Sequence, residues 1–246
     1  MIVPSTPPLP GLRAVLCWAS AAVLVLFGVL WLYAQSADAF VEGLDQQIGE
    51  VLLQRALAFE SAGLEERAEQ EYGAALKARF AGPQNRAMAQ ARLGALWLEK
   101  GMTKEAMPLL RASVDSGRAP LEAYGTLIRA LLLSDDLEEA GHMAARWLDT
   151  AEQAQDAYQR SLAHAGLGDI ALRQGREEEA AAQYAQGNAL LPGQRNAFAL
   201  ARLAYERQSY PEALKHLKEV LLSGPDPQLW QEALALGEQV LDRYSP

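Results

Sequence analysis

From Ile48 onward, small and apolar residues return every three or four positions, the spacing of helices that bury one face, and turn-forming residues interrupt them at short intervals. The clearest stretch is Leu167 to Pro192. Leu167, Gly168 and Ala171 mark one helix, Gly175 stops it, and Ala180, Tyr184 and Gly187 mark a second helix that ends at Pro192. Two helices packed antiparallel at close range leave no room for a side chain where their backbones approach, so Gly168 and Ala180 are expected at that crossing. No stretch alternates in the way a strand would, and the pattern predicts an all-α chain.

The helix-turn-helix unit recurs. In a first copy Leu52, Ala56 and Phe59 precede a turn at Gly63, and Ala68, Tyr72 and Ala75 follow, with Arg55 at a position where an aliphatic residue is expected. A second has Leu93, Gly94 and Trp97, a turn at Gly101, then Ala106 and Leu110, with Pro108 placed to kink its second helix. The third has Tyr124, Leu127 and Leu131, a cap at Ser134-Asp135-Asp136, and Ala140 and Ala144, with Trp147 where a small residue is expected. After the Leu167 unit a fifth copy has Leu200, Ala201 and Ala204, a cap at Ser209 with Pro211 in the first turn, and Ala213, Leu217 and Val220. The alanine opening each second helix falls at 68, 106, 140, 180 and 213, spacings of 38, 34, 40 and 33 residues, so two units hold short insertions. Pro83, Pro120, Pro192, Pro225 and Pro227 punctuate the units. A last helix, from about Pro227 to Tyr244, repeats only the first half of the unit with Ala233, Leu236-Gly237 and Val240, and is expected to cover the stack as a solvating cap.

These units resemble the tetratricopeptide repeat, whose pattern is an aromatic, Leu-Gly, an aromatic, then Ala, an aromatic and Pro over about 34 residues. The resemblance runs from roughly Ile48 to Leu241. It implies a right-handed α-solenoid of about five repeats plus a C-terminal capping helix, with a concave groove that holds a protein or peptide partner. Carried onto this chain, the groove wall is the inner face of each first helix: Leu53 and Leu57, Met88 and Leu98, Arg129 and Leu132, Leu162, Asp169 and Leu172, then Phe198, Arg202 and Tyr205. That wall is mostly apolar. The Lys and Asn clamp with which some members hold a C-terminal carboxylate is not reproduced.

The segment before the repeats has a different character. Residues 1–12 hold Pro4, Pro7, Pro8 and Pro10 and predict a disordered tail. Within residues 13–34, the run Ala14 to Ala34 is uncharged for 21 residues, with Trp18, Trp31 and Tyr33 near its ends, as a membrane-spanning helix requires. Residues 35–47 form a stalk, and Phe40, Leu44, Ile48 and Leu52 recur every four residues from it into the domain at 48–246. Arg13 before the run and Asp38, Glu42 and Asp45 after it place the N-terminus in the cytoplasm and the repeats in the periplasm of a bacterial inner membrane. A cleaved signal peptide, cut near Ala37-Asp38-Ala39, is the competing reading and would release a soluble periplasmic chaperone or adaptor. The lipoprotein reading fails, since no small residue stands suitably before Cys17, and one cysteine excludes an internal disulfide.

Charge and chemistry narrow the function. From Asp38 onward the chain holds 21 of its 22 basic and all 31 acidic residues, the opposite of a nucleic-acid-binding face. His142, His164 and His216 lie in three different repeats without metal-ligand spacing. Gly166 to Ala171 has the letters of a dinucleotide fingerprint, but it follows a helical pattern rather than a strand. The acidic groups Glu65-Glu66, Asp135-Asp136, Glu138-Glu139 and Glu177-Glu178-Glu179 open second helices, where they suit the helix dipole. No cofactor, metal or catalysis is implied. The expectation is a membrane-anchored scaffold of the kind that bacterial envelope proteins of this architecture provide in assembly, secretion or translocation.

Overall fold

The computed structural model describes residues 12–193, 195–223 and 226–244, with side chains from residue 31 on except residue 37. Among these residues all regular structure is helical. The helices are α1 (Leu12–Ser61), α2 (Glu65–Lys77), α3 (Pro83–Glu99), α4 (Thr103–Asp115), α5 (Glu122–Leu133), α6 (Leu137–Gln153), α7 (Ala157–Arg173), α8 (Glu177–Leu190), α9 (Arg195–Glu206), α10 (Tyr210–Leu222) and α11 (Pro227–Tyr244). They pair in order along the chain, and the first helices of successive pairs also touch, α3 with α5, α5 with α7 and α7 with α9, so the pairs stack as a solenoid.

Every pair is closed by the same turn. The amide after the turn residue donates back to a carbonyl five residues earlier: Leu64 to Phe59, Met102 to Trp97, Asp136 to Leu131, Arg176 to Ala171 and Ser209 to Ala204, at 2.8 to 3.0 Å. This geometry needs a positive φ. Gly63, Gly101 and Gly175 supply it at no steric cost, while Asp135 (φ 59°) and Gln208 (φ 59°) adopt it with a Cβ.

The five alanines at 68, 106, 140, 180 and 213 are each 0% exposed, which places the repeat register as the spacing predicts. The residue four further on fills the crossing. A Cβ on Gly94 would lie 2.7 Å from Leu110, and one on Gly168 would lie 2.4 Å from the Tyr184 ring. Gly168 therefore faces Tyr184, one turn beyond Ala180, rather than Ala180 itself. In the third pair Ala144 takes the large residue's place, and Trp147 lies against Gly125, where a Cβ would come within 2.9 Å of its ring. The two insertions become helix rather than loop: α3, α6 and α7 have 17 residues each, against 12 in α5 and α9.

Several expectations change. In the first pair Ala56 and Phe59 lie on the inner face as expected, but Leu53 rather than Leu52 is the buried leucine beside them. Phe40, Leu44 and Ile48 do not lead into the core; they stand 68%, 43% and 52% exposed on α1. Asp136 caps α6 through the Glu139 amide, but Ser209 makes no backbone cap bond and instead donates to Glu212. Nor is α11 a polar cap, because Trp230, Leu234, Leu241 and Tyr244 are exposed along it. Residues 1–11 of the predicted tail and Pro225 lie outside the described residues, as do the side chains of Ala14 to Leu30 in the predicted span, while Leu12 opens α1. Among the described residues no helix is long and apolar enough to cross a membrane.

Candidate functional site

The first helices of the stack leave a continuous groove. Two clefts of about 460 and 370 Å³ meet in it and share Leu162, Asp169 and Arg195. The first is walled by α7, α9 and the start of α11, with Leu172, Phe198, Arg202 and Leu229. The second is walled by α5 and α7, with Glu99 of α3 at its edge and Arg129 and Leu132 along it.

Seven of the twelve wall residues expected from the sequence line these clefts: Arg129, Leu132, Leu162, Asp169, Leu172, Phe198 and Arg202. The other five do not. Leu53 (1% exposed) and Leu98 (5%) are packed into helix contacts, because the inward faces of α1 and α3 are broader than one stripe. Leu57 packs against the core of the first pair, and Met88, half-buried on α3, lines neither cleft. Tyr205 points to the end of the stack, where Arg243 of α11 lies 5.3 Å above its ring and Tyr210 sits 6.2 Å away. It belongs to the packing of α11.

Arg195 was not anticipated, although it stands three residues before Phe198 and seven before Arg202 and so shares their helical face. Its guanidinium lies 2.9 Å from Oδ2 of Asp169, whose Oδ1 accepts a 2.7 Å hydrogen bond from the Tyr184 hydroxyl. Tyr184 is 1% exposed. Burial, and then the Asp169 charge beside it, push its phenol far above the usual range, so it stays protonated and donates. Asp169 is thereby fixed from below and aims Arg195 along the groove. The ion pair itself is too exposed to add much stability, about 0–1 kcal/mol. Arg129 and Arg202 are exposed and, among the described residues, have no ion-pair partner.

Charge is therefore mixed. One cleft holds Arg129 with Glu99 and Glu122, the other Arg202 with Glu206, Asp226 and Glu232, and the Asp169–Arg195 pair lines both. Apolar wall residues alternate with them, so the wall is more polar than the sequence pattern predicted. Glu122 accepts from Gln159, whose own carbonyl accepts the Trp147 indole N–H at 3.2 Å. The histidines play no part here: His164 is 8% exposed and bonded to Gln183, and His216 contacts Glu219. Among the described residues no group of three His, Cys, Asp or Glu is placed to hold a metal. Such a surface can accept an extended or helical segment that offers apolar side chains and a carboxylate or backbone carbonyls.

The stacking, the repeated turn and the buried alanines are features of one known solenoid. This chain has the tetratricopeptide-repeat fold. Its structure is similar to that of Pseudomonas aeruginosa pilF, at 19% identity over 81% of this chain and 86% of that one, with a TM-score of 0.63. It is similar to PilW, described as a widely conserved type IV pilus biogenesis factor, at 16% identity over 80% and 86% of the two chains and a TM-score of 0.62. A thermophilic TPR protein of Thermus thermophilus aligns at 21% identity over 76% and 98%, with a TM-score of 0.55. No family model matches the sequence, and no curated protein matches it. At these identities the likeness is one of fold.

Proposed function

We propose that this protein is a non-catalytic scaffold, anchored in a bacterial inner membrane by Ala14 to Ala34, that holds a segment of a partner protein in the groove of α5, α7, α9 and α11. The observation that carries the reading is the pair of joined clefts. They are lined by Leu132, Leu162, Leu172 and Phe198 and by three arginines, types that dominate binding energy where they are packed and desolvated. The likeness in fold to PilW, a pilus biogenesis factor by its description, supports work in envelope assembly. The unbroken course of α1 through Ala37-Asp38-Ala39 supports a retained anchor over a cleaved leader.

A photo-crosslinking residue at position 198, used in native membranes, will trap the partner. Its affinity for the purified, folded Arg202→Ala protein is expected to fall with the melting temperature unchanged, and for Phe198→Ala, Arg202→Ala to fall at least tenfold, about 1.4 kcal/mol, with some loss of melting temperature because Phe198 also packs on the core of α9, α10 and α11. Tyr205→Ala will lower melting while leaving affinity intact. Unchanged affinity in the double variant, or loss of binding only together with unfolding, would sink the groove reading.

A further inference from the structure

The stalk end of α1 carries a second apolar surface, on the side away from the repeats. Val41, Leu44, Ile48 and Val51 are 63%, 43%, 52% and 57% exposed and follow one another at intervals of three, four and three. Ala34 and Ala37 extend the same register upstream, so the seam spans three heptads before Arg55, at the next core position, turns to Glu71 at 2.6 Å and ends it. The helix is held with this seam outward. A Cβ at Gly49 would lie 2.2 Å from the Arg79 carbonyl, so the backbone of α1 sits directly on the segment that follows α2. Glu42 and Asp45 both reach Arg79 on that inner side, and Glu50 accepts from Asn85.

We infer that the α1 seam pairs with the same seam of a second copy of this chain as a parallel two-stranded coiled coil. Apart from Phe40 at its upstream edge, the seam is two positions wide with a strict heptad period, which fits a helix of the same pitch better than a broad membrane surface. Its a positions are Val41 and Ile48 and its central d position is Leu44, the β-branched a and leucine d choice that favours two parallel strands. The flanking charges agree. The g positions are Phe40, Gln47 and Gln54 and the e positions Asp38, Asp45 and Leu52, so parallel pairing sets no acid against an acid. An antiparallel pair would set e against e and bring Asp38 and Asp45 of one copy to the same residues of the other. Two grooves would then be carried on one stalk.

The test uses the full-length chain with Cys17→Ser, purified in detergent, and single cysteines at 44, 48 and 39. Under mild oxidation Leu44→Cys and Ile48→Cys are expected to form disulfide dimers at least tenfold faster than Ala39→Cys, which lies at an outer heptad position. Sedimentation should give a dimer, and Ile48→Asp should give a monomer with an unchanged melting temperature, since that side chain touches nothing in its own chain's core. A monomeric parent, equal disulfide rates at all three sites, or a dimer that survives Ile48→Asp would overturn the proposal. So would a monomer whose positions 44 and 48 become shielded from a water-soluble maleimide only when lipid vesicles are added, because the seam would then belong to the membrane.

Discussion

Replacing Gly168 by alanine tests the packing on which both the fold and the groove depend. A new Cβ would lie 2.4, 2.7 and 2.8 Å from three ring atoms of Tyr184, closer than carbon atoms can approach. The ring cannot swing aside freely, since it is 1% exposed and its hydroxyl is bonded to Asp169 at 2.7 Å. Overpacking of this kind costs about 1–3 kcal/mol, and loss of the bond to the carboxylate, if the ring yields, costs roughly 1.5–3 kcal/mol more. Against this, alanine in a helix interior gains about 0.5–1 kcal/mol over glycine. The net expectation is a destabilisation of about 0–2.5 kcal/mol if the ring keeps its bond and about 1.5–5.5 kcal/mol if it yields, a loss of up to roughly 10 °C or 20 °C in melting temperature for a chain of this size. Gly73 in α2 and Gly141 in α6 provide the control, because nothing lies within 4 Å of the Cβ either would gain. Gly73→Ala and Gly141→Ala should raise the melting temperature by a few degrees. Circular dichroism melts of the three variants read the signs directly, and a Gly168→Ala protein that melts above the parent would refute the crossing.

Glu69 sets a pH dependence at the contact between the first two pairs. The Lys100 ammonium and then the Trp97 indole N–H, at 2.8 Å, hold its carboxyl below its ordinary 4.5. A depressed acid stabilises the fold above its unfolded value and loses that contribution as pH falls through the folded one. The parent should therefore lose more melting temperature than Glu69→Gln between about pH 5 and pH 3, and parallel losses would remove Glu69 from the acid response. For the anchor, protease added to the periplasmic face of intact inner membranes should digest the repeats. Protection there, with digestion from the cytoplasmic face, would reverse the orientation.

The repeat register was legible because the five buried alanines are set by local backbone approach, which leaves the same small residue at each crossing. Turns were legible where glycine supplied the positive φ at 63, 101 and 175, and at Asp135 and Gln208 only through the capping residues beside them, whereas Gln155 adopts a positive φ that no residue pattern marked. The insertions gave no sign that they would lengthen α3, α6 and α7, since an added helical turn and an added loop have the same length in sequence. At the site, Leu53 and Leu98 were misplaced by the width of the buried face, a property of the neighbouring helices and not of the stripe itself. Tyr205 was misplaced for a longer-range reason. Its ring lies where α11 returns, and the contact with Arg243 joins residues 38 apart in the chain.

Asp169 shows why the fourth pair dominates the groove. The residue pair that closes α7 against α8 is Gly168 with Tyr184, and the hydroxyl of that same tyrosine emerges at the groove floor to hold Asp169. Asp169 in turn fixes Arg195, the first residue of α9, across the boundary between two repeats. Because Asp169, Leu162 and Arg195 line both clefts, one buried contact between a glycine and an aromatic ring sets the geometry where they join. The second and third pairs have no such device. Gly94 faces Leu110, which has no polar tip, and Trp147 on Gly125 sends its N–H to Gln159. The first pair does repeat the chain of contacts, since Tyr72 donates to Glu60 and Glu60 meets Arg92 of α3 at 3.3 Å. Its acid, however, stands one turn further along the first helix than Asp169 does, and neither Glu60 nor Arg92 borders a cleft. A side chain with an apolar body and a donor at its far end can thus tie one repeat to the next wherever it fills a crossing. It shapes the binding surface only where the acid it holds lies on the concave face, and that condition is met at Asp169.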